Sequence, residues 1–395
     1  MMCSVHMRHI LVAATSIWTS SEIKCEPATC KAHATNGAGS KMAATTPQVH
    51  IESVQTGLPT RVVEPDRTRL ISVSAPPLPE AALQRRLRAV LYYRADDAPW
   101  EEGIWVKESL GEVLCFFPEM AGRLRRRADG SWEVKLNDAG VRFQQATVEA
   151  TMDEFLADKD RVRKEAALAP WVDVSAEEPN MCSLLFMQLN RFQDGEYAIG
   201  VSCTALLSDP LSLTRFLLEW ARIHTDMKEK NKTALRPMMQ YMAYFQRPEM
   251  CCKRIRSFPI NSAAADGVHA QTVLFRTAAA AGVDPRALAA ACIDRASEEL
   301  GIDRASRFTL IVAPGDPARG ATTVETSVVA DGLNKGGAGY ALEATEWSEL
   351  GLEELTLRGV KPVHVSCRIV AAGDEGFVVV MPDGDGFLVT ATVPK

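Results

Sequence analysis

Hydrophobic and polar residues alternate in two neighbouring segments near the middle of the chain. The first segment covers residues 184–190, and the alternation resumes at residues 197–203. Asp194 and Gly195 lie between the two segments, and this pair of residue types favours a tight turn. The pattern therefore predicts two adjacent β-strands joined by a short connection.

A helix is predicted directly after the second of these strands. Asp209 and Pro210 occupy positions typical of a helix N-cap and a first-turn proline. Residues 205–209 should then form a strand-to-helix loop, a common location for functional groups. Apolar residues follow at helical spacing: Leu213, Phe216, Leu217, Trp220 and Ala221.

The same periodicities predict further elements on both sides of this segment. In the first half they indicate a strand at 49–55 and helices at 79–93, 101–117 and 151–169. In the second half they indicate a strand at 271–277, a helix at 284–300, strands at 308–313 and 323–329, and an antiparallel meander of 363–370, 377–381 and 387–393.

This mixture of strands and helices predicts an α/β protein with two domains, a number that 395 residues can support. The expected domains are residues 48–224 and 259–395. Residues 225–258 are polar and interrupted by prolines, which is typical of a crossover linker. Residues 1–47 lack periodicity and are expected to be disordered, or to result from a misassigned gene start.

Composition narrows the class of protein further. Hydrophobic residues make up 47% and charged residues 24%, as in ordinary globular proteins. A net charge of -6 gives no reason to expect a nucleic-acid surface. The ten cysteines are irregularly spaced, which argues against a zinc module or a secreted disulfide framework. No apolar run approaches the ~18 residues that span a bilayer.

Several short patterns could carry chemistry, and each has a simpler explanation. Gly336, Gly337 and Gly339 lack the strand and helix that flank a phosphate-binding loop, so a flexible loop is expected. Residues 383–386 alternate aspartate and glycine but lack the later glutamate of a calcium-binding loop, so a hairpin turn is expected. No metal site is predicted.

The loop and its preceding strand resemble a known family. Residues 200–209 read GVSCTALLSD, similar to the segment in which BAHD acyltransferases carry HxxxD. Ala205 occupies the position of the family histidine, and Asp209 matches the family aspartate. Residues 117–124 read FPEMAGRL, similar to a second family hallmark. The resemblance covers about residues 49–395, with a shortened second half. It implies a two-domain fold of the CoA-dependent acyltransferase type.

The resemblance also implies that the catalytic residue is missing. In the family this histidine is the general base that accepts a proton from the alcohol or amine attacking an acyl-CoA thioester. The methyl group of Ala205 can neither accept nor donate a proton. None of the seven histidines is followed four residues later by aspartate. No catalytic residue is therefore assigned, and whether the protein is an enzyme stays open.

A second family signature is also altered. BAHD enzymes carry DFGWG late in the chain, away from the reacting atoms. The corresponding residues here are Thr356, Leu357, Arg358, Gly359 and Val360, followed by Lys361 and Pro362. Two altered signatures in one chain argue against a single sporadic change.

Three further residues and one basic run have expected roles. Asp209 should be structural, as in the family, where this aspartate pairs with an arginine, and Arg295 is the candidate partner. Cys203 could be imagined as a nucleophile, but a buried structural thiol is the simpler interpretation. The arginines at residues 123, 125, 126 and 127 could contact CoA phosphates, although such a run is more often a solvated face.

Within the family, residues 359–382 resemble the eceriferum and glossy group of cuticular-wax proteins. That resemblance implies a non-catalytic partner of very-long-chain fatty acyl-CoA elongation, acting with an elongase condensing enzyme, a 3-ketoacyl-CoA synthase. The expected location is cytoplasmic and peripheral to the endoplasmic reticulum through that partner. Acyl-CoA is a possible ligand, and no tightly bound cofactor is expected. The alternative is an acyl-CoA-dependent O- or N-acyltransferase.

Overall fold

Two mixed β-sheets and six α-helices make up the part of the chain that the computed structural model describes. The described residues are 46–62, 67–74, 78–94, 100–230, 254–262, 270–278, 283–315, 320–328, 340–357, 359–371 and 373–395.

The strands in chain order are β1 Gln48–Gly57, β2 Thr68–Val73, β3 Arg86–Tyr93, β4 Arg123–Arg126, β5 Trp132–Lys135, β6 Val141–Val148, β7 Leu185–Arg191, β8 Tyr197–Thr204, β9 Arg256–Pro259, β10 Ala270–Ala278, β11 Arg307–Val312, β12 Thr322–Val328, β13 Glu343–Thr345, β14 His364–Val370, β15 Gly376–Asp383 and β16 Gly386–Pro394. The helices are α1 Glu80–Gln84, α2 Trp100–Val113, α3 Met152–Ala157, α4 Arg161–Leu168, α5 Pro210–Lys230 and α6 Pro285–Leu300. Short 3-10 helices lie at Pro118–Ala121, Pro179–Met181, Ile260–Ser262, Trp347–Leu350 and Leu352–Glu354.

Both sheets combine strands from the two halves of the chain. Among the described residues the first sheet has the order β14-β3-β8-β7-β6-β1-β9, and the second has the order β13-β10-β16-β15-β11-β12-β2-β5-β4. Parallel pairs occur at β6–β7, β11–β15 and β12–β2. The predicted α/β class, with mixed sheets flanked by helices, is confirmed.

The core has three parts. The largest buried cluster contains residues of both sheets and of helices α2 and α5, so these helices and the facing sheet surfaces share one core. A second cluster packs α6 against β10, β11, β15 and β16. A third lies under α3 and α4 on the other face of the first sheet. This arrangement brings the end of β8 close to the second sheet.

The predicted helix at 79–93 is wrong beyond its first turn. Only Glu80–Gln84 is helical, and Arg86–Tyr93 is β3, which pairs with β8 and β14. Its residues from position 87 onward are buried on both faces of the sheet. A strand buried on both faces loses the alternation of apolar and polar residues, so periodicity could not distinguish it from a helix.

The predicted C-terminal meander is also wrong in its first strand. β14 pairs with β3 in the first sheet, whereas β15 and β16 form an antiparallel hairpin in the second. The pairing of β14 joins segments that are far apart in sequence, which local patterns do not report. The domain boundaries at 48–224, 225–258 and 259–395 stay a prediction, and helix α5 continues past residue 225 to Lys230.

Candidate functional site

The candidate site is the loop at residues 205–209, which joins β8 to α5. All residues of β8 are buried, and the strand lies between β3 and β7. Gly200 permits close packing against the end of α4, because a Cβ at this position would lie 2.0 Å from the carbonyl oxygen of Leu168. The position of the loop is therefore fixed by the pairing of β8 with β3 and β7 and by its packing against α4.

Ala205 begins the loop and is 4% exposed. Its backbone N–H donates to the carbonyl oxygen of Arg85 at 2.9 Å. The N–H groups of Leu207 and Ser208 both donate to the carbonyl oxygen of Thr204, at 3.1 and 3.2 Å. The backbone of the loop is thus well ordered by hydrogen bonds, while the side chain at 205 offers only a methyl group.

Asp209 ends the loop and is the N-cap of α5. Its Oδ1 accepts the backbone N–H of Ser212 at 2.9 Å, and its Oδ2 accepts the Ser212 hydroxyl at 2.6 Å. Its carbonyl oxygen accepts the N–H of Leu213 at 2.9 Å. Both carboxylate oxygens are therefore engaged in starting the helix.

Arg69, which sequence analysis missed, reaches the loop from β2 of the second sheet. Its Nη2 donates to the carbonyl oxygens of Leu206, at 3.4 Å, and of Leu207. Burial lowers the pKa of Arg69, and the nearby Glu119, Cys203 and Asp209 oppose that change. The loop is therefore held from the facing sheet by a buried cation.

Arg295, the predicted partner of Asp209, has other partners. It lies on α6, is 53% exposed and forms ion pairs with Glu298 and Glu299. That prediction is wrong. The cation whose charge interacts with Asp209 is instead Arg69, and the contact crosses between sheets, so no sequence spacing indicated it.

The histidines among the described residues lie far from Ala205. His224 is on α5, fifteen residues after the N-cap, which corresponds to roughly 22 Å along the helix axis. His364 pairs in register with Tyr92, which pairs with Ala198 near the start of β8. His50 is likewise level with that end of the first sheet. In the described part of the chain, none of these side chains can take the place of a base at position 205.

Cys203 is fully buried within β8. Burial raises the pKa of its thiol, and the nearby Arg69 opposes the shift only in part. The thiolate is the nucleophilic form of cysteine, so a raised pKa suppresses reactivity. The environment of Cys203 therefore favours a structural thiol.

The second altered signature forms a tight turn. Leu357 and Val360 exchange backbone hydrogen bonds of 2.9 and 2.8 Å, and Gly359 adopts a positive φ of 80°. Arg358 lies outside the described residues. A cavity of about 680 Å³ separates Thr356 and Gly359 from the C-terminal half of α5. Its lining on α5 begins at Leu218, about 12 Å along the helix from Pro210. The loop at residues 205–209 therefore directly precedes α5, whereas Thr356 and Gly359 lie beside the C-terminal half of the same helix.

The basic run has structural contacts. Arg123 is buried and donates to the carbonyl oxygens of Gly122, Ala139 and Gly140. Arg125 and Arg127 both form ion pairs with the buried Glu133. Arg125 and Arg127 therefore stabilise the β4–β5 hairpin, and Arg123 holds the backbone on either side of it. These contacts do not require a phosphate ligand.

Two other sequence patterns add no chemistry to the site. Gly336, Gly337 and Gly339 lie outside the described residues. Asp383 and Gly386 are paired at the turn between β15 and β16. Within the residues that the structure covers, no cluster of three or more histidine, cysteine or acidic side chains could hold a metal ion.

The sheets and this loop define an α/β protein with two mixed sheets. Residues 86–273 match the family model described as Transferase family. This match covers 188 of the 395 residues and confirms the predicted resemblance to the BAHD acyltransferases.

Among curated relatives, a protein of Arabidopsis thaliana named Protein ECERIFERUM 26-like is 24% identical, with 78% of this chain and 84% of that protein covered. Agmatine hydroxycinnamoyltransferase 1 of Oryza sativa subsp. japonica is 31% identical over 30% of this chain and 25% of the relative. The hydroxycinnamoyltransferase match therefore spans only about a quarter of that enzyme's length.

Solved structures with a similar fold include vinorine synthase, at 17% identity and a TM-score of 0.47, covering 88% of this chain and 95% of that one. Another is F. sporotrichioides TRI101 complexed with coenzyme A and T-2, at 13% identity and a TM-score of 0.39, covering 80% and 92%. These similarities concern the fold alone.

Helices long and apolar enough to cross a membrane are absent from the described residues.

Proposed function

We propose that this chain is a BAHD acyltransferase-like protein that promotes very-long-chain fatty acyl-CoA elongation without catalysing acyl transfer itself. Its partner would be an elongase condensing enzyme of the 3-ketoacyl-CoA synthase type, and its ligand an acyl-CoA or a long acyl chain. The observation that carries this proposal is Ala205, at the family's base position in an otherwise ordered loop.

The physical argument concerns the missing proton acceptor. General-base catalysis contributes roughly 10²- to 10⁴-fold to a rate, which corresponds to about 3 to 5 kcal/mol of barrier. The methyl group of Ala205 contributes none of this, and His50, His224 and His364 are too distant to compensate. The loop nevertheless keeps its Asp209 cap and its Arg69 contacts, so its shape is maintained without the base.

The similarity to Protein ECERIFERUM 26-like supports the wax-related part of the proposal, because that alignment covers most of both chains. A cytoplasmic location at the surface of the endoplasmic reticulum would then follow from binding to the condensing enzyme. Helix α5 is continuous with the loop and also borders the cavity of about 680 Å³. This helix is therefore a candidate route by which an acyl chain bound near the loop affects the protein surface around that cavity.

The similarity to agmatine hydroxycinnamoyltransferase 1 favours a second candidate function, acyl-CoA-dependent transfer to an alcohol or amine. In that case the acceptor would be deprotonated by another group or would react without general-base help. Its rate should then be lower by up to the general-base factor of roughly 10²- to 10⁴-fold.

The two candidates are separated by two assays on the same purified protein. The first follows release of free CoA from acyl-CoAs of graded chain length, with alcohols and amines as acceptors. The second measures product chain length in a reconstituted elongase with and without the protein. The proposal expects longer products in the second assay and no acceptor-dependent CoA release in the first. Acceptor-dependent CoA release with unchanged elongation would replace the proposal with the acyltransferase alternative.

A further inference from the structure

Arg85 lies directly beside the candidate site. It precedes β3, and its carbonyl oxygen accepts the N–H of Ala205. Its side chain is 0% exposed and extends toward the second sheet, where the guanidinium lies 4.8 Å from the centre of the Phe377 ring. A positive charge is therefore buried at the junction of the two sheets, on a residue whose backbone is hydrogen-bonded to Ala205.

The guanidinium of Arg85 has almost no polar partners. Its Nε, Nη1 and Nη2 make no hydrogen bond within the part of the chain that the structure describes. Glu375 is its ion-pair partner, at a distance of 3.8 Å. By contrast, the buried Arg123 donates to three carbonyl oxygens. Buried donors without acceptors are costly, so an arrangement of this kind indicates a partner that binds there.

The charges around Glu375 also leave room for an anion. Arg307 pairs with the same carboxylate at 3.3 Å, so two cations share one anion. These three side chains together carry one net positive charge. Burial lowers the pKa of Arg85 to about 10, so it remains protonated near neutral pH. One added monoanion would make the group neutral.

Glu375 also connects the buried guanidinium with solvent. Its side chain is 24% exposed, and its other partner, Arg307, is exposed. Because the Arg85–Glu375 pair is long and lacks a hydrogen bond, an incoming carboxylate could replace it with shorter, bidentate contacts.

The facing surface of the second sheet supplies further polar groups. Thr309 is the register neighbour of Phe377, is fully buried, and its hydroxyl has no hydrogen-bond partner in the described chain. Thr390 is the register neighbour of Val379. It is also fully buried, and its hydroxyl also lacks a hydrogen-bond partner in the described chain. Both hydroxyls lie on the same face of the sheet as Phe377 and Val379, where each could donate to an oxygen of a ligand.

We propose that Arg85 is the anion-binding group of a buried subsite beside Ala205, and that the subsite takes a monocarboxylate with an apolar tail, such as a free fatty acid. A planar carboxylate matches the guanidinium geometry and supplies one negative charge, whereas a phosphate brings more charge than these residues balance. This inference goes beyond the proposed function, because a thioester has no such charge.

The test is calorimetric titration with decanoate, below its micelle concentration, and with 1-decanol, below its solubility limit. These probes share a chain and differ in charge. The wild-type protein should bind decanoate about 10- to 100-fold more tightly than 1-decanol. Arg85→Met should abolish this preference, and Arg85→Lys should keep part of it because lysine retains the charge without the bidentate geometry. Arg295→Met, which removes an exposed arginine on α6, is the matched control and should keep the full preference.

Glu375→Gln provides an independent arm in case Arg85→Met does not fold. Removing the competing carboxylate should tighten decanoate binding several-fold, about 3- to 10-fold. Equal affinity of the wild type for both probes, a preference that persists in folded Arg85→Met, or weaker binding by Glu375→Gln would each overturn the proposal. The elongase assay is separate: loss of elongation activity with an intact preference for decanoate would refute only the proposed function.

Discussion

The two ends of the loop at residues 205–209 differ in what their side chains do. At one end, Asp209 uses both carboxylate oxygens to cap α5. At the other, Ala205 contributes only backbone hydrogen bonding and a buried methyl group. The features that hold the loop in shape are present, and the group that would perform proton transfer is absent. Structure and chemistry are therefore separable in this loop.

The two buried arginines next to the loop show a similar contrast. Arg69 donates to loop carbonyl oxygens, whereas the three nitrogens of Arg85 lack hydrogen-bond partners among the described residues. A buried cation that is hydrogen-bonded to the backbone stabilises the fold, whereas one without such partners is costly unless a ligand completes it. We infer that Arg69 has a structural role and that Arg85 binds a ligand.

The largest expected effect is on stability, at Arg69. Arg69→Met should lower the free energy of unfolding by about 3 kcal/mol, because two buried loop carbonyls lose their donor. Chemical denaturation followed by circular dichroism measures this value. Arg126→Met, at an exposed position on β4, is the control and should change stability by less than about 0.5 kcal/mol. Equal effects of the two substitutions on the free energy of unfolding would show that Arg69 has no special structural role.

A smaller effect is expected at Asp209. Asp209→Ala should cost about 1 kcal/mol through loss of the N-cap, whereas Asp209→Asn should cost much less because asparagine also caps helices well. Thermal melting of both variants separates the cap from the charge. If the asparagine variant is as unstable as the alanine variant, the interaction of the Asp209 charge with Arg69 is the larger contribution.

The smallest effect is expected at Cys203. Burial raises the pKa of this thiol, so the reactive thiolate is scarce until the pH approaches that raised value. At pH 8, iodoacetamide should label the partly exposed Cys115 and Cys182 before Cys203. Peptide mass spectrometry measures the order of labelling. Rapid labelling of Cys203 in the folded protein would reopen its interpretation as a nucleophile.

Sequence analysis predicted the local part of this site. The alternation that ends at β8, the Asp-Pro helix start and the loop between them all depend on neighbouring residues, and the structure contains them where they were expected. The contacts of Arg69 and Arg85 join the loop to β2 and β15, which are distant in sequence, so no spacing could indicate them. The same limit explains why β14 was assigned to the wrong sheet. β3 was assigned to a helix for a different reason, because burial on both faces removes the alternation of apolar and polar residues.

The most direct test of the central claim compares the wild-type protein with Ala205→His in both assays, CoA release and elongation. Ala205→Asn, a polar substitution without a basic nitrogen, is the matched control for crowding at a site that fits a methyl group. The account predicts that the wild type promotes elongation without acyl transfer, and that Ala205→His leaves elongation unchanged or slightly lower, like Ala205→Asn. Strong acyl transfer by the wild type without any effect on elongation would contradict it. A gain of roughly 10²- to 10⁴-fold in transfer by Ala205→His alone would identify a dormant acyltransferase instead.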